Sequence, residues 1–86
     1  MTTIATYDHE KQGLDILATI TKDTSLAIGA KYNTIDNKHM LFGYNVYAID
    51  LPNVSLLETY ETPKEAEYMR EIIFNKLIQG QGMIIL

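Results

Sequence analysis

Apolar and polar residues alternate along the first two thirds of the chain, a pattern typical of β-strands. The alternation is clearest over residues 14–21 and 26–33, and a third, longer segment runs from about 39 to 50. Shorter apolar segments at 4–7 and 54–60 add further strands. Because successive side chains of a strand point to opposite faces, each segment offers one face to a core and one to solvent.

The same alternation predicts how the second and third segments pair. Directly opposite residues of an antiparallel pair share a face, so apolar residues should meet apolar residues. This condition sets Tyr32 opposite Met40 and demands a turn of odd length. We therefore expect a three-residue turn at 35–37, with Asn37 in the left-handed conformation.

The preceding hairpin is expected to follow the same rule, with 22–24 as its turn and Ile20 opposite Leu26. On the other face, the predicted pairing brings Gly29 opposite Gly43. Two facing glycines would leave a bare place in the sheet that a backbone, a side chain or a small ligand could approach. A β-bulge at Gly43 is the alternative interpretation.

A C-terminal helix over about 63–79 is predicted by its end signals. Thr62 and Glu65 have the spacing of a capping box, and Pro63 occupies the first helical position, where its missing donor costs nothing. Gly80 can adopt the left-handed conformation that ends a helix. The apolar stripe comprises Ala66, Met69, Ile73 and Leu77, with Phe74 beside it.

These elements predict an α+β fold, an antiparallel β-meander of four to five strands with the helix packed on one face. Residues 83–86 are apolar and are expected to be buried, as a short terminal strand or against another subunit. The whole chain, 1–86, is expected to form a single domain, because its length suits one modest core.

Charge and composition argue against several classes of function. The chain has eleven acidic and seven basic residues and a net charge of −4, which argues against binding the phosphate backbone of nucleic acids. It has no cysteine and no long apolar run, so we expect a cytoplasmic protein without a membrane span. The two histidines, His9 and His39, lack neighbours with ligand spacing, and no catalytic motif is present. We expect no enzyme activity, cofactor or metal.

The strongest candidates for interface residues lie on the predicted helix. Glu67, Tyr68, Glu71 and Ile72 combine acidic and apolar side chains on its outward side. Tyr47 joins them as a candidate, since tyrosine is enriched at interfaces and this one points away from the predicted core. The acidic side chains suit a partner protein with a basic surface, and the uncovered apolar residues suggest a homodimer.

Residues 56–80, LLETYETPKEAEYMREIIFNKLIQG, resemble the C-terminal part of small uncharacterised proteins from Gram-positive bacteria and their phages. The resemblance is carried by Tyr60, Thr62, Glu65 and Ala66. It implies an antiparallel sheet with a C-terminal helix, and an accessory protein of a mobile element that binds a host protein. It carries no catalytic residue.

The sequence therefore predicts a non-enzymatic protein-interaction module that binds and inhibits or modulates a host or defence protein. One alternative is an oligomeric small-ligand or nucleotide-binding protein with a pocket between subunits near Gly29 and Gly43. A further alternative is a virion or assembly component.

Overall fold

The computed structural model describes residues 1–86 and contains six strands and one helix. In chain order they are β1 (Thr2–Asp8), β2 (Gly13–Ile20), β3 (Ser25–Ile35), β4 (Lys38–Asp50), β5 (Asn53–Tyr60), α1 (Pro63–Ile78) and β6 (Met83–Ile85). Sheet A has the order β2-β1-β6, and sheet B has the order β3-β4-β5. The predicted α+β class is confirmed. The prediction of four to five strands in one meander is wrong, because six strands divide between two sheets.

The division occurs at the turn between β2 and β3. Ile20 and Leu26 do not pair as predicted, since β2 is bonded to β1 and Leu26 lies opposite Ala48 of β4. The Thr24 amide donates to the Thr21 carbonyl at 3.0 Å, and the Thr21 amide donates to the Thr24 hydroxyl at 3.0 Å. This closed turn carries the chain from sheet A into sheet B. Alternation specifies the face of a strand but not its neighbour, which explains the error.

The β3–β4 turn contains two residues, Asp36 and Asn37, and not three. Both have positive φ angles, 52° and 63°, as expected for the tight turn whose twist matches that of the flanking strands. Ile35 therefore pairs with Lys38 and belongs to β3. The left-handed conformation predicted for Asn37 is confirmed, but the predicted turn at 35–37 is too long by one residue.

A β-bulge shifts the pairing of β3 with β4 by one more residue between Tyr32 and Lys31. Tyr32 lies opposite Leu41, not Met40 as predicted, and the next residue of β4, Phe42, has no partner on β3. The extra residue restores the alternation beyond Gly43, so apolar residues return to the inner face of sheet B. A bulge, offered by the sequence as an alternative at Gly43, is thus present, but its unpaired residue is the neighbouring Phe42.

The predicted pairing of Gly29 with Gly43 does not occur. Gly29 lies opposite Asn45, and a Cβ placed on it would be 3.2 Å from the Tyr47 ring. A Cβ on Gly43 would be 2.6 Å from the carbonyl oxygen of Tyr60. Each glycine is therefore covered by the chain's own atoms, and the expected bare place in the sheet is filled.

The helix matches its predicted bounds closely, ending at Ile78. The Thr62 hydroxyl accepts a hydrogen bond from the Glu65 amide at 3.2 Å and donates one to the Glu65 carboxylate at 3.0 Å. Gly80 follows the helix with a φ angle of 75°. The helix has sixteen residues, and no helix of the chain is long and apolar enough to cross a membrane.

One core joins both sheets and the helix. Its fully buried members are Ile4, Ile20, Val46, Ala48, Leu57, Ala66, Ile73 and Ile84. Ala66 and Ile73 are the buried part of the helix stripe, whereas Met69 and Leu77 are only half-buried. The predicted terminal strand is present as β6, which runs parallel to β1 and places Ile84 in the core. The expected burial of 83–86 is only partly right, because Met83 and Ile85 point away from the core and are about half exposed.

Candidate functional site

The far ends of β3 and β4 extend beyond the core as a two-stranded arm, comprising residues 31–42. Every residue from 30 to 42 is exposed. Five large apolar side chains on the arm are between 48% and 59% exposed, namely Tyr32, Ile35, Met40, Leu41 and Phe42. A two-stranded ribbon is marginally stable in water unless its apolar face is covered. The arm is therefore a surface without an intramolecular cover.

Strand β3 is also a free edge of sheet B. The two-residue turn makes Ile35 and Lys38 a hydrogen-bonded pair, so the backbone groups of odd-numbered residues of β3 face β4. Those of the even-numbered residues face outward, namely Leu26, Ile28, Ala30, Tyr32 and Thr34. None of these residues takes part in the seven backbone hydrogen bonds outside the helix and strands. The eleven-residue edge has no proline and one charged residue, Lys31, so little protects it from pairing with another strand.

An open groove, the edge groove, runs between the start of β3 and the flank of α1. It is lined by Thr24, Ser25, Leu26, Glu67, Arg70, Glu71 and Phe74, and its volume is about 560 Å³. Phe74 is 50% exposed and forms the apolar part of the lining together with Leu26. The groove is thus bounded on one side by a strand with free backbone groups and on the other by a helix.

The charged side chains of the edge groove are unpaired. Glu67 and Glu71 flank Arg70 on the helix, and none of the three forms a salt bridge within 4.0 Å. Both ion pairs of the chain involve Lys11, which lies in the loop between β1 and β2. Two carboxylates and one guanidinium group are therefore free to interact with a bound partner, with a local excess of negative charge.

The five predicted interface residues lie in three places. Glu67 and Glu71 line the edge groove, which brings them together with Phe74. The helical period places Tyr68 and Ile72 on the other flank of α1, where Tyr68 is 65% exposed and Ile72 half-buried.

Tyr47 lies on the outer face of sheet B, opposite the helix, because its neighbours Val46 and Ala48 are in the core. Its hydroxyl accepts a hydrogen bond from the Asn45 side chain at 2.8 Å, and the Asn45 side chain accepts one from the Thr59 hydroxyl at 2.5 Å. This residue is half-buried and held by its neighbours. It belongs to a different surface from the helix residues.

Sequence reasoning missed the arm and five of the seven residues that line the groove, namely Thr24, Ser25, Leu26, Arg70 and Phe74. The four-residue spacing of Arg70 and Phe74 places them on one helix flank, a signal that the sequence does contain. The protruding arm had no comparable signal, because its alternation is the same as that of a strand that covers a core.

The two histidines and Tyr60 lie apart from one another and away from the edge groove. His9 packs edge-on against Tyr7 with ring centroids 4.7 Å apart, and His39 lies on the arm with its Nδ1 3.4 Å from the Thr34 hydroxyl. No three acidic or histidine side chains converge to hold a metal ion. Burial raises the pKa of Tyr60, and the negative charges of nearby glutamates raise it further. None of these groups lines the edge groove.

Comparison with protein-family models, with curated proteins and with solved structures gives no match. The resemblance of residues 56–80 to small bacterial and phage proteins therefore stays a prediction. The features of the molecule that bear on its function are therefore the arm, the free edge of β3 and the edge groove.

Proposed function

We propose that this chain is a non-enzymatic protein-interaction module that binds an extended segment of a partner along the free edge of β3. The observation that carries the proposal is the position of that edge. The outer edge of the eleven-residue β3 has no partner strand, and its first residues, Ser25 and Leu26, border a groove whose other wall is a helix flank with an exposed phenylalanine. A module of this kind acts by occupancy, and it modulates or inhibits the protein whose segment it holds.

Strand addition to a sheet edge provides the binding energy. The partner's backbone would bond to the outward amides and carbonyls of Leu26, Ile28 and Ala30, which are free in the isolated chain. Alternate side chains of the added strand would point to the inner side, where Leu26 and Phe74 form the apolar lining of the edge groove. Backbone bonds then supply affinity, and the groove supplies specificity.

Charge defines the chemistry of the preferred segment. The groove has two carboxylates, from Glu67 and Glu71, against the single cation of Arg70. The whole chain has a net charge of −4, which favours encounter with a basic partner. The proposed ligand is therefore an extended segment with alternating apolar residues and at least one lysine or arginine.

A peptide library tests this proposal. The chain is immobilised at low density, so that each molecule is isolated, and random twelve-residue peptides are selected on it. The diagnostic variant is Ala30→Pro, because Ala30 is exposed and its amide faces the free edge, so proline removes no bond within sheet B. Ala30→Ser, which keeps the amide, is the matched control.

We expect selected peptides to alternate apolar residues and to contain a basic residue. Their affinity should fall about tenfold or more on Ala30→Pro, because strand addition loses a backbone hydrogen bond and meets the proline ring, and should change little on Ala30→Ser. Failure to select peptides, or equal binding to both variants, would contradict the proposal.

A further inference from the structure

We infer that the segment bound at the β3 edge is β3 of a second copy of this chain, with the arm of each copy lying in the edge groove of the other. The inference rests on the proposed strand addition and names its partner. It would join the two copies of sheet B into one antiparallel sheet of six strands about a twofold axis. Such an interface is isologous, because the same strand is used by both copies.

The edge groove, which borders β3 at Ser25 and Leu26, sets the register. Placing Gly29 on the axis pairs Leu26 with Tyr32 of the second copy and Ile28 with Ala30 of the second copy. All four residues have backbone groups that face outward, so each pair is a hydrogen-bonded pair. Their side chains all lie on the inner face, which satisfies the requirement that opposite residues share a face.

This register accounts for two of the exposed apolar side chains of the arm, Tyr32 and Leu41. Antiparallel pairing places the second half of one β3, which lies beyond its own core, beside the first half of the other, which borders the edge groove. Tyr32 of one copy would then lie next to Leu26 and near Phe74 of the other. Leu41, directly opposite Tyr32 within the arm, would follow it toward the same surface. Apolar side chains that have no cover within one copy would gain one from the other.

Two exposed aromatic side chains would supply part of the area that a stable dimer buries. Tyr32 is 59% exposed and Phe74 is 50% exposed in the single chain. Their two rings would contribute roughly 200 Å² per copy, about a quarter of the ~800 Å² that a standard interface buries on each partner. Leu41 and the paired backbone of β3 add to this area. The other edge strands are shorter, since β2 and β5 have eight residues each and β6 has three.

Charge does not oppose the pairing, although each copy has a net charge of −4. Lys31 is the only charged residue of β3, and in the proposed register it lies opposite Ala27 of the second copy and not opposite itself. The acidic residues of the groove lie on the helix, away from the strand pairing, so no like charges face each other across the paired strands.

Sedimentation velocity over a wide range of concentrations tests the association. We expect the wild-type chain to show a mass twice its 9.8 kDa at high concentration. Ala30→Pro should raise the dimer dissociation constant about tenfold or more, and Ala30→Ser should leave it within about twofold. A chain that stays monomeric at submillimolar concentration, or a dimer unaffected by Ala30→Pro, would overturn the inference.

Disulfide trapping tests the register, since the chain has no native cysteine. The double variant Ala27→Cys/Lys31→Cys places cysteines that face each other across the axis, in a non-hydrogen-bonded pair about 4.5 Å apart between Cα atoms. Within one chain the two positions are roughly 13 Å apart along the strand, too far to be bridged. We expect a covalent dimer under mild oxidation. Preferential trapping of Ala27→Cys/Asn33→Cys, which reports a register shifted by two residues, would overturn the pairing centred on Gly29.

The two proposals fail in different ways. If the chain stays monomeric while selected peptides still bind in a manner sensitive to Ala30→Pro, strand addition stands and self-pairing is wrong. If neither dimer nor peptide responds to Ala30→Pro, both proposals are wrong.

Discussion

Gly43 lies where three strands of sheet B must fit together, and its replacement by alanine should destabilise the fold. Its φ angle is 154°, which side-chain-bearing residues rarely adopt. An added Cβ would be 2.6 Å from the carbonyl oxygen of Tyr60 and 3.1 Å from Cγ2 of Thr59. The first contact is with backbone, so no side-chain rotation can relieve it.

The magnitude follows from these two features. Holding alanine at this φ costs about 1–3 kcal/mol. Moving β5 away from the new methyl group costs about another 1–3 kcal/mol, the usual range for overpacking. Gly43→Ala should therefore lower the free energy of unfolding by about 2–6 kcal/mol, a large part of the ~4–13 kcal/mol expected for a chain of this length.

Urea unfolding followed by circular dichroism measures this loss, and Gly13→Ala is the matched control. No atom lies within 4 Å of a Cβ at Gly13, and its φ is not positive, so this change should leave stability unchanged or slightly raised. If the two variants unfold within about 0.5 kcal/mol of each other, the close approach of β4 to β5 at Gly43 is wrong.

Three further predictions concern the core, the helix cap and pH. Ile73→Ala, at a fully buried site, should cost about 2–5 kcal/mol in urea unfolding, whereas Ile78→Ala, at a site 66% exposed, should cost about 0.5 kcal/mol or less. Equal losses would contradict the placement of the helix. Thr62→Ala should cost about 1 kcal/mol, because the Glu65 amide loses its acceptor; unchanged stability and helix content would argue against the cap. The pKa of Tyr60 is raised in the folded state, so the unfolded chain loses its proton first, and stability should fall as the pH rises from about 10 through the folded pKa. Unfolding of Tyr60→Phe over the same range should show a smaller fall, and parallel curves would refute the assignment.

The helix could be predicted because its signals are local. The threonine cap, the proline at the first turn and the glycine after the last turn each act on adjacent backbone groups. Tertiary contacts therefore did not alter the bounds that these local signals set. The observed helix Pro63–Ile78 differs from the prediction by one residue.

The sheet could be predicted only in part, because strand pairing is not local. Alternation correctly placed Val46 and Ala48 on the face that packs against the core. It could not show that β2 pairs with β1 and not with β3, since both neighbours satisfy the same pattern. The two-residue turn and the bulge at Phe42 each shift the pairing by one residue in the same direction, so the register differs from the prediction by two residues. A shift of two residues keeps every side chain on the same face, and the alternating pattern therefore cannot reveal it.

The candidate site could also be predicted only in part. Glu67 and Glu71 were predicted from their charge and from their position on the outward side of the helix, and both line the edge groove. The strand that borders this groove was predicted, but its free edge was not, because exposure of an edge depends on which strands pair elsewhere.

The parallel pairing of β6 with β1 has a consequence for the order of folding. Thr3 lies beside Met83, so β1 gains its second neighbour only after the four strands and the helix between them have been synthesised. During that interval Ile4 and Ala5, which are fully buried in the folded chain, have only β2 as a partner strand. A nascent chain would therefore leave these apolar residues partly uncovered until β6 emerges, and contacts so distant in sequence are slow to form. Production at low temperature or with a chaperone should relieve this exposure.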